Sequence, residues 1–200
     1  MGIKSILLAV SVLVLSTSVN AVTITFDDHP NVTQNSYGAI GTYNGFVFGA
    51  TNSSNRMDWI DTVDSPWNYG SVSGDFTMLN NLGGGTAIIT DATNADFTFD
   101  GLWAKSWDTA PGSGGATTSG FIEGYNNGVL VWQINTAING SFGFYDAHAG
   151  LIDELRLAFG GHYLVDDLSL NSVSAVPVPA AVWLFGSGLV GLVGLARRNK

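Results

Sequence analysis

Between residues 22 and 171, apolar positions recur in short runs of β-branched and aromatic residues, each bounded by Gly, Asn, Asp or Ser. Helical periodicity is nearly absent. The runs are VTITFD (22–27), YNGFVFGA (43–50), TAIITD (86–91), ADFTFDG (95–101) and LWAKSWD (102–108), followed by SGFIEGY (119–125), GVLVWQI (128–134), GSFGFYD (140–146), LIDELRLAF (151–159) and HYLVDDLSLN (162–171). Asn126-Asn127-Gly128 separates two of the strongest runs and predicts a tight hairpin, because Asn and Gly tolerate positive φ. About ten short strands of this kind predict an all-β fold, a single antiparallel β-sandwich of jelly-roll type. The stretch 51–75 has no clear period, and 101–118, which runs into TAPGSGGATTSG, reads as flexible and small-residue rich. Loops this long in a compact sandwich either bind something or are disordered. No repeat or linker divides the middle, so residues 22–173 are expected to form one domain.

The two ends follow different patterns. Lys4 precedes an almost wholly apolar stretch from Ile6 to Leu15, and Val19-Asn20-Ala21 offers compact residues before a cut after Ala21. This is the layout of a secretory signal peptide over residues 1–21, with a core too short to span a bilayer; it implies the Sec export machinery as a partner. At the other end, Ala180 to Ala196 is an apolar run of 17 residues. As a helix it would be roughly 26 Å long, enough for a short membrane span. Arg197, Arg198 and Lys200 follow it and would stay on the cytoplasmic side, which places the middle domain across the membrane.

Charge sharpens this reading. All 16 acidic residues lie between the ends, whereas only Arg56, Lys105 and Arg156 of the 7 Lys and Arg do, so the middle carries 3 − 16 = −13. Such a surface repels phosphate backbones and argues against nucleic acid as a partner. With no Cys in the chain, disulfides, thiolate metal sites and Cys nucleophiles are excluded.

Two acidic pairs stand out. Asp27-Asp28 closes the first run and Asp166-Asp167 lies within the last. Strict alternation would put Asp28 on the face of Ile24 and Phe26, and Asp166 on the face of Leu164, Leu168 and Leu170. A carboxylate on an apolar face costs several kcal/mol unless it is paired or coordinated, and cations are scarce here. A structural Ca²⁺ held by Asp27, Asp28, Asp166 and Asp167 would meet that cost. The other reading is a turn at Asp27-Asp28 and a solvated Asp167.

Candidate binding residues come from the irregular 51–75 stretch, where Trp59, Trp67 and Tyr69 lie among Asp58, Asp61 and Asp64. Aromatic planes beside polar groups suit sugar rings. Trp103, Trp107 and Trp132 fit strand patterns and read as core. His29, His148 and His162 have no metal-ligand spacing, and no hydrolase or metalloprotease motif occurs, so no residue is assigned as catalytic and the chain is read as a non-enzyme.

The final twenty-five residues, VPVPAAVWLFGSGLVGLVGLARRNK, resemble the C-terminal sorting segment of the PEP-CTERM class in its VPLPA-type variant. The resemblance implies that Val176, Pro177, Val178, Pro179 and Ala180 are a motif recognised by exosortase, a membrane transpeptidase-like enzyme. It makes 180–196 the span and Arg197, Arg198 and Lys200 the stop signal, within a sorting segment of 174–200. Val178 departs from the usual Leu. The middle is similar to exported proteins of that class, whose fold resembles the jelly rolls of carbohydrate-binding modules, where a structural ion often lies between the first and last strands. It implies an exported protein, anchored by its tail and then delivered to the cell surface or extracellular matrix in association with exopolysaccharide or biofilm. A specific carbohydrate-binding module and a glycan-acting hydrolase are the alternatives.

Overall fold

A computed structural model describes residues 19–81, 85–107 and 117–173, together with Gly186. The chain divides into two compact units, Val19–Ser174 and a second made of Met1–Ser18 with Ala175–Lys200. Residues 1–18 of the expected signal peptide, the sorting motif 176–180 and the basic residues 197–200 lie outside the described residues, as does the expected span apart from Gly186. Among the described residues no helix is long and apolar enough to cross a membrane.

The first unit is all-β. Its strands, in chain order, are β1 (Val19–Ile24), β2 (Tyr37–Ala39), β3 (Gly41–Tyr43), β4 (Phe46–Ala50), β5 (Asp58–Asp61), β6 (Phe76–Leu79) and β7 (Ala87–Asp91). Then come β8 (Phe97–Ser106), β9 (Thr118–Asn126), β10 (Val129–Ile138), β11 (Gly143–Ile152), β12 (Glu154–Ala158) and β13 (Tyr163–Val173). Every pairing is antiparallel. One sheet runs β11-β8-β13-β6-β5-β2, with β1 also paired to β13; the other runs β10-β9-β12-β7-β4-β3. The expected sandwich is present, and its first and last strands are neighbours.

Alternation explains why the sheets stack. Phe46, Phe48, Ile89, Leu155 and Leu157 of the second sheet meet Phe97, Phe99, Leu102, Tyr163, Val165 and Leu168 of the first in one buried cluster. Phe46 and Phe97 touch edge to face across the gap, with centroids 5.3 Å apart. Truncating one such Phe costs about 3–5 kcal/mol. The predicted hairpin joins β9 to β10, with Asn127 at φ 51° and Gly128 at φ 74°, a pair of positive angles that matches the strand twist.

Differences from the sequence reading are local. The runs 95–101 and 102–108 form one strand, β8. Gly101, at φ 127°, lies where the pairing with β13 shifts register, so the inward set passes from Phe97 and Phe99 to Leu102 and Ala104. The first strand begins at Val19, and Ala21 pairs opposite Asn171, so the expected cleavage point falls within β1. Strand β5 lies inside the stretch read as irregular.

Candidate functional site

The outer face of the first sheet is covered by the chain itself along β5, β6 and the start of β13, whereas Trp103 and Phe144 at the β8–β11 edge stay half-buried or exposed. After β5, residues 62–75 turn back over it, held by Gly70 N–H donating to Thr62 O (2.8 Å) and Thr62 N–H to Asp75 O (2.9 Å). Beneath lie Ile60, Leu79 and Leu164, with Trp67, Tyr69, Trp107 and Phe142 packed against them. The Lys105 ammonium is buried here and donates to Tyr69 O at 2.7 Å. Burial pushes its pKa down to about 8.

This corrects the expected ligand set at Trp59. Trp59 is 4% exposed and belongs to the core between the sheets. It packs against Phe76 with centroids 5.9 Å apart and faces Gly38, whose missing side chain leaves room for the indole. Strand β5 aims Trp59 inward, so it offers nothing to a sugar. Trp67 and Tyr69 are half-buried, with Trp67 against Tyr37 at 5.6 Å and Tyr69 against Trp107 at 4.5 Å. Part of their apolar surface packs on the cluster beneath the strap, and the rest faces solvent.

The four aspartates are near one another in the chain's topology but have separate partners. Asp166 is fully buried and accepts N–H bonds from Val72 (2.7 Å), Ser73 (3.1 Å) and Asp167 (2.8 Å). Asp27 accepts from the N–H groups of Asp75 (2.7 Å) and Phe76 (3.1 Å). The Ser73 hydroxyl donates to Asp167 at 2.5 Å, and the Tyr43 hydroxyl donates to Asp28. Strict alternation fails on both sides: Phe26 (φ 69°) and Asp167 (φ 46°) are left-handed, and β13 exchanges β6 for β1 as its neighbour around Asp166. Backbone N–H groups bond Asp27 and Asp166, and hydroxyls bond Asp28 and Asp167, although burial still outweighs the amide bonds at Asp166. Among the described residues no group of three or more His, Asp or Glu is placed to hold a metal.

The outer face of the second sheet is different, because its outward residues are half-buried or exposed and carry the functional groups. Phe121, Glu123 and Tyr125 point outward from β9, opposite in sense to the core residue Ile122. Glu154 and Arg156 do so from β12, where Leu155 and Leu157 point in. Register sets Arg156 opposite Glu123 and Glu154 opposite Tyr125, with Gln133 of β10 on the far side of Glu123.

The side chains interlock. The Arg156 guanidinium lies 4.0 Å from the centroid of the Tyr125 ring, and its Nε donates to Glu154. The Tyr125 hydroxyl donates to Glu123 at 2.9 Å, and Gln133 donates to Asn135 at 2.7 Å. The bond to Glu123, with burial and the Glu123 charge behind it, raises the Tyr125 pKa. Slight burial opposes the charge on Arg156, but Glu154 outweighs it, and the pKa rises. Both glutamates of the chain and one of the three cations of its middle therefore lie on one small patch. Sequence reasoning passed over them because polar residues alternating with apolar ones read as a solvated face. The available signal was that both glutamates flank aromatic or cationic residues two positions away on their strands.

No protein-family model matches the chain, and a search of curated proteins gave no match. Among solved structures, the N-terminal tandem of CBM22 domains from Paenibacillus barcinonensis is similar at 12% identity and a TM-score of 0.41, over 84% of this chain and 50% of that one. This chain thus spans half the length of that tandem. The first of those domains alone, described as xylan-binding, gives 11% identity and a TM-score of 0.39 over 82% of this chain and 100% of its own. A family 22 carbohydrate-binding module of Clostridium thermocellum gives 10% identity and a TM-score of 0.33, covering 68% and 90%.

Proposed function

We propose that the protein is an exported, non-enzymatic glycan-binding protein of the cell surface, and that it holds neutral polysaccharide on the outer face of its second sheet. The observation that carries this is the Arg156–Tyr125 stack at 4.0 Å, flanked by Glu123, Glu154 and Gln133. A flat guanidinium–phenol layer suits the C–H face of a pyranose, and carboxylates and amides beside it suit the ring hydroxyls. The acidic body, with −13 between the end segments, disfavours uronic-acid or sulfated chains. Both glutamates are already engaged, by Arg156 and by the Tyr125 hydroxyl, which suits binding better than proton transfer.

Affinity electrophoresis in gels containing a xylan, a mixed-linked β-glucan, a galactomannan or an alginate tests the reading. Retardation by at least one neutral polysaccharide, weakened in Tyr125→Ala, is expected. Equal mobility in every gel would remove it.

The tail supports a second element of the proposal, which is that exosortase-type processing acts at Val176–Ala180 after 180–196 has anchored the chain. Intact mass of the protein recovered from the cell surface tests it. A full-length tail on all recovered molecules would count against processing.

A further inference from the structure

Four large apolar side chains crowd one end of the sandwich and face solvent: Val129 (65% exposed), Leu130 (45%), Val131 (49%) and Leu151 (46%). The first three are consecutive, which alternation would forbid. A register shift between Leu130 and Trp132 inserts the extra residue. The hairpin tip is fastened beside Leu151. Asn126 Nδ2 donates to Leu151 O at 3.3 Å, and Asn127 N–H donates to Asp153 Oδ2 at 2.8 Å. A Cβ added to Gly150 would lie 3.8 Å from Val131 Cγ1. These contacts make one continuous lip.

The lip shares its end of the sandwich with the exit of the last strand. Ile152 of β11 and Ser172 of β13 pair with the same residue, Phe97, from opposite sides. Two strand spacings, about 10 Å, separate them. From Ser174, six residues lead to the apolar run at Ala180. Fully extended, they reach at most about 20 Å.

We infer that Val129, Leu130, Val131 and Leu151 enter the headgroup boundary of a lipid bilayer. This rests on the proposal that 180–196 spans the membrane, since that short tether then keeps the lip within reach of lipid. The four lip residues carry no charge, and Asp153, two positions beyond Leu151, accepts the Asn127 N–H. A zwitterionic surface suits such a lip beneath an acidic body, whereas a second copy would bring a second large negative charge.

The chain has no cysteine, so single labels can be introduced into the full-length protein. Leu130→Cys and Ser141→Cys, the latter exposed in the turn between β10 and β11 at the far end, would each carry an environment-sensitive fluorophore. Each is reconstituted into phosphatidylcholine vesicles with or without a shallow nitroxide-labelled lipid. A blue shift with nitroxide quenching at position 130, and neither at 141, is expected. Protein that floats with the vesicles but is unquenched at 130, or equally quenched at both positions, overturns the lip and leaves the anchor intact. Failure to float removes the anchor and the lip together. A shift at 130 that grows with protein concentration without vesicles identifies a second copy as the occupant and overturns lipid.

Discussion

The carboxylate of Asp166 and the backbone N–H of Val72 are 94 residues apart in the chain and 2.7 Å apart in space. With the neighbouring bonds to Ser73 and those from Asp27 to Asp75 and Phe76, two carboxylates hold the covering strap against the first sheet. Removing a buried acceptor orphans these N–H groups at about 1–3 kcal/mol each, so Asp166→Ala should lower stability by several kcal/mol in urea denaturation.

Asp166 should also set a pH dependence. Burial raises its pKa from 3.8 to about 7, against the lowering effect of the amide bonds. The folded state therefore favours the protonated acid. Its contribution is complete below about pH 4 and is lost as pH rises to about 7. The stability of the native protein minus that of Asp166→Asn is expected to fall across this window. A rising difference would mean that three N–H bonds outweigh desolvation.

Gly74 and Gly45 make a paired test of the strap. Both have positive φ, at 51° and 83°. A Cβ at Gly74 would overlap the Asp27 carboxylate, whereas at Gly45 it meets nothing within 4 Å. Gly45→Ala should cost about 1 kcal/mol, the penalty of left-handed backbone alone. Gly74→Ala should cost about 2–4 kcal/mol, because overlap is added to strain. Equal losses would show that the strap shifts aside freely.

On the face proposed to bind glycan, shape should matter more than charge. Arg156→Lys keeps the cation and loses the plane, so affinity for the retarding polysaccharide should drop roughly two- to tenfold. Tyr125→Phe keeps the ring and should lose less than Tyr125→Ala. Folding stability should change by no more than about 0.5 kcal/mol in Tyr125→Phe, since its hydroxyl bond is on the surface. Calorimetric titration with scanning calorimetry separates the two effects.

Lys105 predicts a pH effect with the opposite slope. Burial lowers its pKa from 10.5 to about 8, so the unfolded chain holds more protons between these values. Stability relative to Lys105→Met is therefore expected to rise with pH across this window and to fall as pH drops through 8. Denaturant midpoints between pH 7.5 and about 10 check this.

How legible the fold was depended on which faces of a strand were covered. β7, β9, β12 and the Asn127-Gly128 turn were readable because one face meets the core and the other meets water. β5, with sequence DWID, was not: all four residues are buried, since the strap hides the face that would have been polar. The same cause sent Trp59 to the wrong side, because a tryptophan among aspartates reads as a loop residue. Gly101 obscured β8 by resetting its alternation. Glu123, Tyr125, Glu154 and Arg156 were visible one by one, but their grouping depends on which strands are neighbours. β9 and β12 are separated by two other strands in the chain, and local pattern carries no trace of that pairing.

One consequence lies in the position of β13. It follows every other strand in the chain, yet it occupies the middle of its sheet, with β8 along one edge and β6 and β1 sharing the other. Without it the first sheet consists of two halves, β11-β8 and β6-β5-β2, with no strand pairing one to the other. A chain cut before Tyr163 is therefore expected to lose far more than eleven residues of structure, because the strand that bridges both halves of the first sheet goes with them.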